Sequence, residues 1–391
     1  MLQQSSLKVC VRGFLSFACC GGNEPGVLAK QEEPRLILTV EETCAFEVLM
    51  SFVCPRLLPI ALLELALLVT PAWAARKHDP AAHKLTPDTV NNAEWRHGKS
   101  SASLLVRLQV LLDRAHASPG QIDANRGENT RKAIAAFREM RGLGNGDQID
   151  QPLWQALTEN DHEPTLVTYT VTEKDVAGPF IDRVPKDYRD KASLKRLSYT
   201  SPQELLAEKF HISEKLLQQL NPDVAFDQAG TAIVVPNVQR EQLPRRIARV
   251  EVDAVRQRVI AYDKDDTIVA VYPATVGSSE RPSPSGEFKV ASIAENPTYH
   301  YDPSLNFRGV DVQEPLDLPP GPNNPVGLVW IALSAKGYGI HGTPEPEAVS
   351  KRASHGCIRL TNWDALELAH HLHKGTPVAI HKAASGRQAK R

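Results

Sequence analysis

The sequence predicts a multidomain chain: a mostly β domain at the C-terminal end, preceded by a small α-helical domain and an α+β module. Three observations carry this. From Ile247 apolar and polar residues alternate, as in "RIARVEVDAVRQRVIAYDKDDTIVAVYPATVG", the period-two pattern of half-buried strands. Over residues 99–160 the apolar positions recur at helical spacing instead. Over 167–238 short strand-like runs flank two helical stretches. The chain has 391 residues, enough for several domains. Its formal net charge is −1, and basic residues gather only in the 383–391 tail, so nucleic-acid binding has no electrostatic support.

Taken in order, residues 50–74 read as a secretory signal peptide. Met50 opens the segment, Arg56 supplies a basic start, Leu57 to Val69 an apolar stretch, and Ala72-Trp73-Ala74 a small-residue cleavage site. The apolar stretch is too short, and with Glu64 too polar, for a spanning helix of ~20 residues. Residues 1–49 then read as upstream sequence from a misassigned start. Five of the six cysteines, Cys10, Cys19, Cys20, Cys44 and Cys54, lie before the cleavage site. Export would leave Cys357 alone, and a leftover cysteine in an exported protein is an intermolecular link or a reactive thiol.

Residues 75–98 are polar, hold Pro80 and Pro87, and read as a linker. Leu104, Leu105, Leu108, Leu111 and Leu112 make one apolar helix face. After "SPGQIDANRG", Asn129 or Thr130 is placed to cap a second helix carrying Ala133, Ile134, Phe137 and Met140 and closed by Gly142. A third holds Leu153, Trp154 and Leu157. In the α+β module Tyr169-Thr170-Val171 is the first strand. Leu205, Leu206 and Phe210 share one helix, and Leu216, Leu217 and Leu220 the next. Asn221-Pro222 stops that helix, and Ala232 to Val235 is the second strand. In the β domain Asp265-Asp266 is a turn, Pro315 to Gly327 a long loop, and Trp363 to His373 a helix capped by Thr361 or Asn362. "TPVAIHK" is a closing strand.

Cys357 sits in Ser354-His355-Gly356-Cys357-Ile358-Arg359-Leu360. A thiol with an ordinary pKa of ~8.5 needs a proton acceptor to become a nucleophile, and His341 and His355 are both candidates. A histidine within reach would hold an imidazolium beside the thiolate. Gly356 lets successive backbone N–H groups converge on an oxyanion, and Arg359 could grip a substrate carboxylate with two parallel bonds. The chemistry indicated is thiol acyl transfer on an acidic substrate. Zinc ligation by these residues lacks the usual short C-x-x-C spacing.

These residues also resemble a family. "IHGT" followed by "SHGCIRL", with "RPSPSGEF", "NNPVGLVWIAL" and "GYGIHGT" in order before it, is similar to the signature of the L,D-transpeptidase (YkuD-type) catalytic domain over residues 247–382. Ser283 and Ser285 stand where the family often has threonine. The resemblance implies a YkuD-like β-sandwich in a periplasmic enzyme that needs no cofactor or metal. It assigns Cys357 as nucleophile, His341 as base and acid, and the Gly342 carbonyl as the group orienting the imidazole. Gly356 and Cys357 N–H groups would form the oxyanion hole, while Ser354, His355 and Arg359 shape the pocket. The implied substrate is peptidoglycan: a stem tetrapeptide loses its terminal D-alanine, and the acyl group passes to a diaminopimelate amine or to a lysine of an outer-membrane lipoprotein. Water as acceptor would make a carboxypeptidase, and a decayed site a wall-binding protein. Residues 99–160 resemble a peptidoglycan-binding-like three-helix domain. Residues 167–238 resemble a LysM-like module, interrupted by residues 172–198.

Overall fold

The computed structural model describes residues 85–239, 243, 246–277, 282–305, 310–351 and 356–382. The expected upstream extension, signal peptide and basic tail lie outside the described residues.

The expected linker, 75–98, is described only from residue 85, and there it carries the first helix. Residues Pro87–Asn91 form a helix, α1, with Val90 fully buried. Thr86 and Thr89 bond reciprocally across its first turn. Pro87 occupies the first helical position, where a missing N–H costs nothing and the fixed φ favours the helix. Proline opens this helix rather than breaking one.

Helices α2 (Ala102–Arg114), α3 (Glu128–Arg141) and α4 (Gln151–Thr158) follow. The Ser101 hydroxyl caps α2 by accepting the Leu104 N–H at 3.1 Å. The leucine face of α2 packs with Ala133, Ile134 and Phe137 of α3 and with Leu153, Trp154 and Leu157 of α4. The opposite face is also apolar: Val106 and Val110 enter a second core. Thus α2 is buried on two sides. The expected capping of α3 by Asn129 or Thr130 does not occur; the cap is Gly127, with no side-chain bond. Asn129 instead donates to the Val349 carbonyl at 3.1 Å and Thr130 to the Asn125 carbonyl at 2.9 Å. Both lie within the first turn, committed to tertiary and loop contacts. The helix ends at Gly142, whose φ of 66° suits glycine.

Strand β1 (Leu166–Thr170), short helices α5 (Glu173–Val176) and α6 (Tyr188–Ser193), helices α7 (Pro202–Lys209) and α8 (Glu214–Leu220), and strand β2 (Ala232–Pro236) come next. β1 and β2 pair antiparallel, Leu166 opposite Pro236. Leu206, Leu216, Leu217 and Leu220 pack against Ile233 and Val235, with Val106 and Val110 of α2 in the same core.

The C-terminal domain is mostly β. Its strands are β3 (Arg249–Asp253), β4 (Arg258–Tyr262), β5 (Ile268–Pro273), β6 (Thr275–Val276), β7 (Gly286–Glu295), β8 (Tyr299–Tyr301), β9 (Leu316–Leu318), β10 (Val329–Leu333), β11 (Gly339–His341), β12 (Ile358–Arg359) and β13 (Pro377–His381), with helix α9 (Asn362–His370) before the last. Nine of them form one sheet in the order β5-β4-β3-β13-β7-β10-β11-β12-β6. The long β7 pairs with β13 through its first half and with β10 through its second. The outer strands β5 and β6 are consecutive in the chain, separated by Ala274 alone, so the sheet curls round until its two edge strands meet at that residue. One core fills it, with Val252, Val259, Ile331, Ile340 and Ile358 from strands and Ala365 and Leu368 from α9.

The Asp265-Asp266 turn occurs as expected, Asp266 taking φ 60°, which aspartate tolerates better than most residues. Helix α9 is capped by Thr361 and ends at His370, three residues before the expected end. The proline-rich loop is partly ordered: β9 within it pairs with β8 as a separate two-stranded ribbon. Helices α2–α4 rest on the outside of the sheet, where Ile260 and Val271 join their core.

Candidate active site

The sheet register brings the expected site residues together. β11 and β12 run parallel, Ile340 beside Ile358 and His341 beside Arg359. Side chains alternate faces along a strand, and residues in register share one. Ile340 and Ile358 are both fully buried in the core. His341 and Arg359 therefore face the other way. One step back, Gly339 and Cys357 take that same face, and the Gly339 backbone N–H reaches the thiol. On the other flank Trp330 of β10 lies opposite His341.

His341 is 4% exposed. Its Nδ1 lies 2.6 Å from the Gly342 carbonyl oxygen. A carbonyl only accepts, so Nδ1 carries the hydrogen and Nε2 keeps its lone pair. The Trp330 ring stacks on the imidazole, centroids 5.5 Å apart and 23° from parallel. This needs Gly339: a Cβ there would lie 2.7 Å from the Trp330 ring. Burial, then the Arg359 charge, push the His341 pKa down to about 3 against a weaker upward pull from the Gly342 carbonyl. Cys357 is partly buried. Burial pushes its thiol up, while the Gly339 N–H and Arg359 pull it down. The resting site thus favours a neutral imidazole and a neutral thiol, rather than the thiolate–imidazolium pair expected from the sequence. Desolvation is the reason: two charges in this site would forfeit water.

Two peptide planes are set from outside the motif. The Asn362 Oδ1 accepts the Thr343 N–H at 3.1 Å. In a trans peptide the carbonyl points opposite to the N–H, so this bond turns the Gly342 carbonyl away from Asn362, and it meets His341. Asn362 also accepts the Leu328 N–H at 3.1 Å and donates to the Glu208 carboxyl of α7 at 3.0 and 3.1 Å. A Cβ on Gly342 would collide with Asn362. The second plane joins Gly356 to Cys357. Gly356 has φ 107°, and its carbonyl accepts from the buried Ser283 hydroxyl at 2.6 Å. The Cys357 N–H must then point away from Ser283.

Of the residues singled out from the sequence, Cys357, His341, Gly342, Gly356 and Arg359 gather here; Ser354 and His355 lie outside the described residues. Sequence reading assigned no site role to Asn362, Ser283 and Trp330. Asn362 read as a possible helix cap, and Trp330 and Ser283 lay inside quoted motif blocks without a role of their own. Among the described residues no three His, Cys, Asp or Glu side chains cluster as metal ligands would.

Residues 247–380 match the family model described as YkuD, L,D-transpeptidase catalytic domain. The chain is similar to the YkuD protein of Bacillus licheniformis, a relative named for L,D-transpeptidase activity: 32% identical over 180 residues, 45% of this chain and 92% of that one. The YkuD protein of Bacillus subtilis is 31% identical over 179 residues, with 45% and 92% covered. A solved catalytic domain of an Enterococcus faecium L,D-transpeptidase is 26% identical, with 35% of this chain and 99% of that one aligned at a TM-score of 0.27. With a relative above 30% identity matched along nearly its whole length, and the catalytic motif assembled on one sheet face, the chain belongs to the YkuD family of L,D-transpeptidases.

Proposed function

We propose that the protein cuts and rejoins peptidoglycan stem peptides through a thioester on Cys357. His341 Nε2 takes the thiol proton as sulfur attacks the carbonyl between diaminopimelate and the terminal D-alanine. The Cys357 N–H, with that of Gly356, stabilises the oxyanion. As the C–N bond breaks, His341 returns the proton to the leaving D-alanine amine. An acceptor amine then attacks the thioester and gives its proton to His341, and the thiolate leaves and is reprotonated. The acceptor is a diaminopimelate amine of a second stem or the lysine of a lipoprotein. Arg359, Ser354 and His355 shape the donor pocket. The observation that carries this reading is the 2.6 Å bond from His341 Nδ1 to the Gly342 carbonyl. It fixes the tautomer in which Nε2 is the base, on the face shared with Cys357.

The same reading places the protein in the periplasm after cleavage near Ala74, with the two upstream units facing the wall. Helices α2–α4 support a peptidoglycan-binding-like unit. The order β1, α7, α8, β2, with a 172–198 insertion, supports a LysM-like one. The test is the intact mass of the protein after mixing with a disaccharide-tetrapeptide, beside Cys357→Ala, with released muropeptides analysed from the same samples. An adduct on the wild type alone, with dimeric muropeptides, is expected. An adduct with only tripeptide would make the enzyme a carboxypeptidase. No adduct, with the protein still bound to sacculi, would leave only wall binding.

A further inference from the structure

The insertion at residues 172–198 reaches the catalytic cleft. Tyr188, which opens α6, packs with Leu194 against Leu197, Tyr301, Val312 and Leu318. Its ring meets Tyr301 of β8 edge-on, centroids 5.1 Å apart. Arg189 donates to Glu314 at 2.7 Å. The Leu197 N–H donates to the Pro320 carbonyl at 3.0 Å, and its own carbonyl accepts the Asn323 N–H at 3.0 Å. A side chain at Gly321 would collide with that carbonyl. The stretch 188–197 is therefore fastened to the β8–β9 ribbon and to the loop after it.

The loop that follows the ribbon packs on the site, where a Cβ on Gly327 would lie 2.6 Å from the Gly342 carbonyl carbon. Burial, then Tyr188 and Cys357, raise the Tyr299 hydroxyl of β8; burial and Tyr301 raise that of Tyr188, against Arg359. Lys191, one turn on from Tyr188, places its ammonium 4.9 Å from the Tyr188 ring centre. The ammonium is half-buried, and Glu345, three residues past Gly342, is its charged neighbour.

We propose that α6 forms a wall of the Cys357 cleft and that Lys191, set over Tyr188, binds a side carboxylate of the acyl-donor peptide. This rests on Cys357 being the nucleophile. A partly desolvated ammonium gains more from a carboxylate than an exposed one, because fewer waters compete. The aromatic face beneath it restricts where the ammonium can sit.

The test compares two donor tetrapeptides on the full-length chain, one with free side carboxylates and one with them amidated, measuring D-alanine release. Lys191→Met is expected to raise KM for the free donor about tenfold, the loss of one charge-assisted bond, with kcat within about twofold. KM for the amidated donor should be the same in both proteins, and Lys191→Arg should restore most of the loss. An unchanged KM for the free donor, or an equal rise for both donors, would overturn the proposal. Cys357→Ala runs beside these: turnover surviving in that variant would overturn the nucleophile assignment instead.

Discussion

Replacing Asn362 with alanine strips its partners from two backbone N–H groups, those of Leu328 and Thr343. It also removes the donor shared by the Glu208 carboxyl and the Pro322 carbonyl. Asn362 is 1% exposed. A stranded buried polar group costs about 1–3 kcal/mol. With some relaxation and entry of water, two such groups set an expected loss near 3 kcal/mol. The same change frees the Gly342–Thr343 peptide to rotate, so the Gly342 carbonyl no longer holds the imidazole. Misplacement of a catalytic group by an ångström costs about a hundredfold, and kcat for donor acylation should fall by about ten- to a hundredfold. Urea unfolding gives the first quantity from the midpoint and slope, and D-alanine release the second. Asn362→Asp separates the two effects: it keeps the acceptor for Thr343, so it should retain more activity, while setting a second carboxylate against Glu208. A destabilisation of Asn362→Ala below about 1 kcal/mol, or an unchanged kcat, would refute the reasoning.

Three other outcomes follow from the geometry. Ser283→Ala should lower kcat about tenfold or more by releasing the Gly356–Cys357 peptide and its oxyanion donor, while Ser283→Thr, which keeps the hydroxyl, should stay near wild type in the same turnover assay. With His341 held down to about 3 and the thiol held above its ordinary value by burial, kcat/KM for acylation should be flat from about pH 5 to 8. Trp330→Ala, by wetting the imidazole, should raise its pKa and bring in a falling acid limb; a wild-type limb near 6.5 would contradict the neutral-imidazole site. Arg359→Met removes the positive charge that favours thiolate and disfavours imidazolium, so both pKa values should rise, and alkylation of Cys357 by iodoacetamide at pH 8 should slow about fivefold.

Much of the molecule was legible locally. Period-two alternation predicts β3, β4 and β5, because each buries one or both faces within its own few residues. Leucine spacing predicts α2 and α4 for the same reason. Its second face, Val106 and Val110, was there to be read, but what they would pack against was not. Pro87 misled because proline means opposite things inside a helix and at its first position, and only the capping geometry of Thr86 distinguishes them. His341, Gly342, Gly356, Cys357 and Arg359 were legible because two short strand ends carry them at characteristic spacing.

By itself, then, the sequence determined most of the elements and which motif residues gather at the site, since periodicity and motif are properties of neighbouring residues. The tertiary structure alone decided how those groups are aimed. Ser283 reaches Gly356 across 73 positions, and Asn362 ties the His341 strand end to Glu208 across 154. Hydrogen bonds and Coulomb fields act over ångströms in space, so the placement of α6 beside the cleft and the neutral state of His341 exist only once the sheet has closed.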